Sequence, residues 1–293
     1  MALAPEPPAP AENALRVVVS GARGGHSGED IASGRANAIK SLGRVLSAGF
    51  RAAPFRLTPP ASSASRNAIP RDAAAVIVVP AAGDALFRAA VETELAALVR
   101  QYAGTDDGLT LSVEPAAAGG AASLATTETA LDLVAAIPTG VVALDPVGRT
   151  VQTSSCLTVA STEDGTLTLS SMSRSSNAAA LDGVLAATHA LARLADADIE
   201  ARRSYPPWEP DLDSELLATA KATHERLFGS EPALTVVHGG LECAVLGQRL
   251  PAVEMVSIGP EIVGPHAPGE KVRVSSTERF YRVLGALLDD LSR

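Results

Sequence analysis

The sequence is poor in aromatic residues and cysteine, and each shortage excludes a class of protein. Phe, Trp and Tyr make up 3% of its 293 residues, so aliphatic and alanine side chains must fill most of any core. Its two cysteines, Cys156 and Cys243, are too few for a disulfide framework and lack the spacing of metal ligands. We expect both to be reduced thiols.

Clustered positive charge and long apolar runs are also lacking. The formal net charge is -9 and Lys and Arg form no cluster, which argues against nucleic acid or an anionic membrane surface as a partner. No apolar run approaches the roughly 20 residues of a membrane span, and the first residues do not resemble a secretory signal. We therefore expect a soluble cytoplasmic protein that binds neither nucleic acid nor membrane.

Hydrophobic periodicity predicts an α/β protein. Residues 1–13 are rich in Pro and Ala, which is typical of an extended or disordered linker. The elements that follow form a βαββαβ pattern, and part of that order recurs after the Gly/Ala-rich stretch 115–123. Up to residue 203 the predicted strands are 15–20, 74–79, 109–113, 151–160, 166–173 and 198–202, and the predicted helices are 31–48, 85–102, 126–136 and 178–195.

The pattern changes after residue 204. Helices are predicted at 214–228 and 276–291, with short buried strands at 234–237 and 252–258. Alternating strands and helices with loops at the strand ends are typical of an α/β sheet that carries a site.

Four segments contain residue types that perform chemistry. Near the C-terminus, His266 lies between a Gly-Pro and a Pro-Gly pair, and prolines stiffen a loop that could hold an imidazole for a metal. Taken alone, a histidine in a turn is the simpler interpretation. The other segments are Gly24–Gly28 with His26, residues 66–73 with Asn67, and His238–Cys243 with its Gly-Gly pair.

In this order and spacing, the four segments resemble those of the M20 metallopeptidases, and most closely the aminoacyl-histidine dipeptidases. The resemblance runs from about Leu15 to the C-terminus. It implies a linker at 1–13, a lid domain of doubled βαββαβ type at 14–203, and the C-terminal segment of an α/β catalytic domain at 204–293. It also implies hydrolysis of dipeptides with a dinuclear metal site, with zinc as the metal and cobalt or manganese as alternatives.

The resemblance also implies roles for single residues. His26 would give a hydrogen bond or positive charge to the developing oxyanion, and the last metal ligand would be His266. The residues implied to hold the dipeptide are Asn67, Arg174, Gly239, Gly240 and Glu242. Structural alternatives stay open, namely a turn histidine, a turn-stabilising asparagine and a surface arginine.

The family's other metal ligands are not found in this sequence. It contains no His-x-Asp and no Glu-Glu pair, and one histidine cannot make a catalytic zinc site. We therefore predict a truncated form that lacks the N-terminal metal-binding half, binds no stoichiometric zinc and is inactive alone. Two alternatives remain: a non-catalytic peptide-binding or interaction protein that self-associates as a homodimer, and one half of a split peptidase.

Overall fold

The structure is a computed structural model of the chain. It describes residues 1–4, 6, 11–58, 67–145, 150–202, 205–209, 211–235, 237–239, 241–263 and 270–292. The strands are β1 (Glu12–Ser20), β2 (Gly25–His26), β3 (Arg56–Thr58), β4 (Ala68–Ile69), β5 (Ala73–Pro80), β6 (Thr110–Pro115), β7 (Gly140–Leu144), β8 (Val151–Glu163), β9 (Thr166–Ser175), β10 (Ile262–Val263) and β11 (Lys271–Val272). The helices are α1 (Ala38–Ala52), α2 (Asp84–Gln101), α3 (Leu124–Ala136), α4 (Ala178–Leu194), α5 (Glu215–Phe228), α6 (Glu242–Arg249) and α7 (Val274–Leu291).

The chain divides into two compact units, and each is described by itself. The first comprises Met1–Ala143, Thr153–Arg174 and Ala179–Arg202. The second comprises Leu144–Gln152, Ser175–Ala178 and Arg203–Arg293. Among the described residues, no helix is long and apolar enough to cross a membrane.

A four-stranded antiparallel sheet in the order β3-β5-β1-β6 is the centre of the first unit. Its register places Leu15 opposite Ile77 and Val17 opposite Ala75, and all four side chains are buried. Alternating residues of a strand share one face, so this pairing makes one apolar face for the helices to cover. Despite the scarcity of aromatics, Phe55 lies at the centre of the core and packs edge-to-face on two other phenylalanine rings.

Helix α1 begins seven residues later than the predicted start at Ile31. The Asn37 side chain accepts a hydrogen bond from the Lys40 backbone N–H at 3.1 Å and so forms the N-cap. Residues before Asn37 form turns, including Gly34 at a φ of +73°. The apolar spacing from Ile31 onward is therefore helical only in its second part.

A second sheet has the strand order β7-β8-β9. Strands β8 and β9 are joined by Asp164 and Gly165, whose φ values of 48° and 72° are those of a tight type I′ hairpin turn. Strand β7 was not predicted, and the strand predicted at 198–202 is wrong. That charged segment pairs with no strand of the described chain, so the second half of the pattern is αβββα.

The second unit is built mainly from helices. Helix α5 is capped by the Ser214 side chain and ends at Gly229 in the left-handed conformation, as helix-terminus chemistry dictates. The strands predicted at 234–237 and 252–258 are wrong for the residues described there, which join no sheet. A strand forms only when its backbone groups find a partner, and Val253 is instead 51% exposed.

Candidate functional site

Three distant segments of the first unit meet at His26. Strand β2 pairs with strand β4, and this places His26 opposite Ala68. Next to that pair, the Ser27 backbone N–H donates to the Asn67 carbonyl oxygen at 2.9 Å. The backbone therefore fixes the two predicted site residues His26 and Asn67 beside each other.

The loop around His26 is held by its own charged side chains. The Asp30 carboxylate accepts the His26 backbone N–H at 2.8 Å and forms an ion pair with Arg35 at 2.9 Å. Arg35 also donates to the Gly24 carbonyl oxygen at 2.6 Å. On the ring itself, Nδ1 of His26 accepts the Glu29 backbone N–H at 3.1 Å.

The buried carboxylate of Asp106 connects the two ends of the loop that contains His26. Asp106 is fully buried, and its two oxygens accept the backbone N–H groups of Arg23 at 2.7 Å and of Ala36 at 2.9 Å. These two residues flank the His26 loop on either side. One carboxylate thereby joins both ends of a 14-residue segment, counted from Arg23 to Ala36.

Arg174, on strand β9, lies against the same loop. Its Nη2 donates to the buried Ser27 hydroxyl at 3.5 Å, and its Nε is buried with no hydrogen-bond partner among the described residues. Burial lowers the pKa of the guanidinium, while the charges of Cys156 and Glu29 oppose that shift. Arginine nevertheless stays charged in proteins, so the site contains a partly desolvated cation.

Gly28 lies between the side chains of His26 and Arg174. A Cβ placed on Gly28 would lie 3.1 Å from Nε of Arg174 and 3.3 Å from Cε1 of His26. Both contacts are tighter than side chains normally tolerate, so glycine at this position allows the guanidinium and the imidazole to lie on either side of the loop backbone.

A buried thiol lies next to Arg174. Cys156 is fully buried, and burial raises its pKa to about 11. The Asn37 side-chain amide lies 3.7 Å from the Cys156 sulfur and donates to the Leu157 carbonyl oxygen at 2.8 Å. Cys156 is thus a packing residue, as expected for a thiol in a strand.

The remaining predicted residues belong to the second unit. Gly239 is half-buried, and Glu242 is exposed as the first residue of α6. Gly240 and His266 lie outside the described residues. Helix α6 also borders a cleft of about 520 Å³ whose lining includes Trp208, Cys243 and Met255.

Sequence reasoning missed the residues that support His26. Ser27 belongs to the glycine-rich segment Gly24–Gly28 and Asp30 follows it closely, so their proximity to His26 in the sequence was a usable signal. The sequence does not indicate that Asp106 contacts the His26 loop, because Asp106 follows α2 and is separated from Ala36 by 70 positions. Only the folded chain brings it beneath the loop.

The described residues do not form a dinuclear metal site. No group of three or more His, Cys, Asp or Glu side chains in the described part of the chain is placed to hold a metal ion. The predicted ligand His266 lies outside the described residues.

Comparison with known proteins identifies the family. Residues 3–290 match the model of Peptidase family M20/M25/M40. The chain belongs to this family. It is 34% identical over 279 residues to the cytosol non-specific dipeptidase of Escherichia coli (strain K12), covering 94% of this chain and 58% of that protein. The crystal structure of aminoacylhistidine dipeptidase from Vibrio alginolyticus superposes with a TM-score of 0.89 at 30% identity, covering 99% of this chain and 60% of that one.

These matches confirm the predicted family and the predicted α/β fold class. They span nearly the whole of this M20 chain but only 58% and 60% of the two relatives. The relatives therefore have about two fifths of their length beyond the region that they share with it.

Proposed function

We propose that this M20 chain is the substrate-holding part of a metal-dependent dipeptidase that acts on Xaa-His and related dipeptides in the cytoplasm. The observation that carries the proposal is Arg174, a partly desolvated cation whose buried Nε has no partner in the described chain. A free carboxylate is the ligand that a guanidinium of this kind suits best, because it can accept two parallel hydrogen bonds. The names of the two relatives support the choice of a dipeptide as the source of that carboxylate.

Under this proposal, Arg174 measures the length of the substrate. It binds the C-terminal carboxylate, and Asn67 on the neighbouring segment holds the dipeptide backbone. His26, on the other side of Gly28, then donates to the carbonyl oxygen on which negative charge develops during hydrolysis. A longer peptide has no carboxylate at that position and loses the contact.

The second unit contributes further contacts in this proposal. The backbone N–H groups of Gly239 and Gly240 bind substrate oxygens, Glu242 binds its amine, and His266 is a metal ligand. The metal is zinc, with cobalt or manganese as alternatives. In the split-enzyme alternative, a separate N-terminal half on another chain supplies the ligands for which this sequence has no matching motif.

Calorimetric titration of the purified chain with Ala-His and with Ala-His amide tests the proposal. The amide lacks the carboxylate, so we expect it to bind at least about tenfold more weakly, and Arg174→Ala should remove that discrimination. Arg202→Ala is the matched control, because Arg202 is exposed and, within the described part of the chain, forms its ion pair with Glu200. Equal affinity for the two ligands would refute the assignment of Arg174.

Hydrolysis of Ala-His with added zinc is measured on the same preparation, together with its metal content. Turnover with about two metals per chain would show that this chain carries a complete centre and that the predicted truncation is wrong. Carboxylate-dependent binding without turnover would support a substrate-holding part, and turnover on adding an N-terminal half from a relative would identify a split enzyme. Absence of any dipeptide binding would overturn the proposed function.

A further inference from the structure

The side chain of Asn37 joins the start of helix α1 to strand β8. Asn37 is 5% exposed. Its Oδ1 accepts the Lys40 backbone N–H at 3.1 Å, and its Nδ2 donates to the Leu157 carbonyl oxygen at 2.8 Å. Leu157 is buried, and its own N–H donates to the Thr139 hydroxyl at 3.2 Å, so both of its main-chain groups bond to side chains. The Asn37 carboxamide therefore connects two elements that lie 120 positions apart in the sequence.

Capping of α1 does not by itself account for asparagine at position 37. Serine and aspartate cap helices about as well as asparagine does. Asparagine differs from both because it carries an acceptor oxygen and a donor NH2 group on separate atoms. It can therefore accept from α1 and donate to β8 at the same time, whereas serine has a single oxygen for both tasks and a carboxylate has no donor. The bond to β8 is the part of its role that these other capping residues do not supply.

The residues on either side of this cap bond to the segments around the candidate site. The Ala36 N–H donates at 2.9 Å to the buried Asp106 carboxylate, which also holds the other end of the His26 loop. The Ala38 N–H donates at 3.0 Å to the Pro70 carbonyl oxygen, directly after strand β4. The start of α1 therefore joins the His26 loop, strand β4 and strand β8 at one place.

Strand β8 extends this connection to Arg174 through its contacts with β9. The Ser155 and Ser173 hydroxyls lie 3.0 Å apart. The Thr158 hydroxyl donates to the Ser170 carbonyl oxygen at 3.2 Å, so both contacts fall on the stretch of β9 that leads to Arg174. The guanidinium meets the loop through a hydrogen bond as long as 3.5 Å, and hydrogen bonds are weak at that distance. The position of the guanidinium against the loop therefore depends on where β9 lies.

We infer that Asn37 is a positioning residue, whose bond to β8 sets the distance between the His26 loop and the Arg174 guanidinium. Asn37 is buried, so it acts through Arg174 and not by contact with a substrate. The carboxylate that Arg174 binds rests on the proposed function, whereas the coupling of Asn37 to Arg174 does not. A small shift of β9 would misalign a guanidinium that must form two parallel hydrogen bonds, so selection of a carboxylate should be lost before the fold is.

Binding measurements on the intact chain test this role. Asn37→Ser keeps a cap for α1 but lacks the donor that reaches Leu157. In calorimetric titrations we expect the preference for Ala-His over Ala-His amide to fall from at least about tenfold to about twofold or less. The same substitution in an Arg174→Ala background should change neither affinity further, because Asn37 acts through that side chain.

Ser123→Ala is the matched control. Ser123 caps α3 in the same unit, where its hydroxyl accepts the Thr126 N–H at 3.0 Å. Loss of this cap should lower the midpoint of thermal unfolding and leave the preference for the carboxylate unchanged. Loss of that preference in Ser123→Ala, or its retention in a folded Asn37→Ser variant, would overturn the inference.

Hydrogen exchange at the Arg174 Nε–H, followed by nitrogen-15 NMR, measures the coupling without a ligand. This group is buried in the unaltered chain, and we expect it to exchange about tenfold faster in Asn37→Ser but not in Ser123→Ala. Faster exchange in a chain that binds no dipeptide would refute the proposed function and support the positioning role, whereas unchanged exchange would refute the positioning role itself. If Asn37→Ser does not fold, the scalar coupling between Asn37 Nδ2 and the Leu157 carbonyl carbon in the unaltered chain decides, and its absence would overturn the inference.

Discussion

Replacing Asp106 with asparagine should loosen the His26 loop more than its small change in size suggests. The two carboxylate oxygens of Asp106 each accept a backbone N–H in a fully buried position. Asparagine keeps one acceptor oxygen and turns an NH2 group toward the other N–H. The variant loses one hydrogen bond to a charged group, worth about 1.5–3 kcal/mol, and leaves a buried donor unsatisfied. We expect a total cost of about 2–3 kcal/mol in the opening of the loop.

Amide hydrogen exchange at Arg23 and Ala36 measures this cost locally. A loss of about 2–3 kcal/mol corresponds to exchange that is about 30- to 150-fold faster at these two amides. Asp107→Asn is the matched control: it removes the same charge one residue later, where an exposed carboxylate accepts the Gly104 N–H. Trp208, the single tryptophan, lies in the second unit and reports whether that unit is unaffected. Equal amide exchange rates at Arg23 and Ala36 in Asp106→Asn and Asp107→Asn would refute the prediction that the Asp106 carboxylate holds the loop.

Three further perturbations test other contacts. Gly28→Ala should weaken Ala-His binding about tenfold, because its Cβ would push apart the Arg174 guanidinium and the His26 imidazole. Its control is Gly183→Ala, at an open helical position, which should leave binding unchanged and slightly raise the free energy of unfolding. Iodoacetamide at pH 8 should label Cys243 and spare Cys156, because a pKa of about 11 leaves about one thiol in a thousand ionised; rapid labelling of Cys156 in the folded chain would contradict its burial. Lys40→Met should lower the free energy of unfolding by about 2–4 kcal/mol in a urea titration, because the Lys40 ammonium donates to three carbonyl oxygens at the end of α3.

The sequence was most informative where local pattern alone decides structure. The β-branched run of β5 and the capping serine of α5 place those elements to within a residue. The apolar run 252–258 has a similar composition, yet it forms no strand, because a strand depends on a partner that no local pattern reveals. The start of α1 was misplaced for a related reason: the Asn37 cap outweighs the helical spacing that precedes it.

The candidate site shows the same division between local and long-range information. The glycine-rich motif around His26 is visible in the sequence, and so is its likeness to one peptidase family. Which atoms hold the motif is not visible, because Asp106 reaches it across 83 positions to Arg23, and Arg174 reaches Ser27 across 147. Contacts of such separation follow from sheet order and register, which are properties of the whole fold.

The way in which these segments are joined explains how the loop holds His26 beside Asn67 and Arg174. Ser27 bonds through its backbone N–H to Asn67 and through its hydroxyl to Arg174. One small buried residue thus ties together the three segments that contain the predicted site residues of the first unit. Because the bond to Asn67 uses only main-chain atoms, the Asn67 side chain is not needed to hold the loop and remains available to a ligand. Under the proposed function, the Asn67 carboxamide and the Arg174 Nε would contact the substrate, while Ser27 and the carboxylates of Asp30 and Asp106 maintain the loop around them.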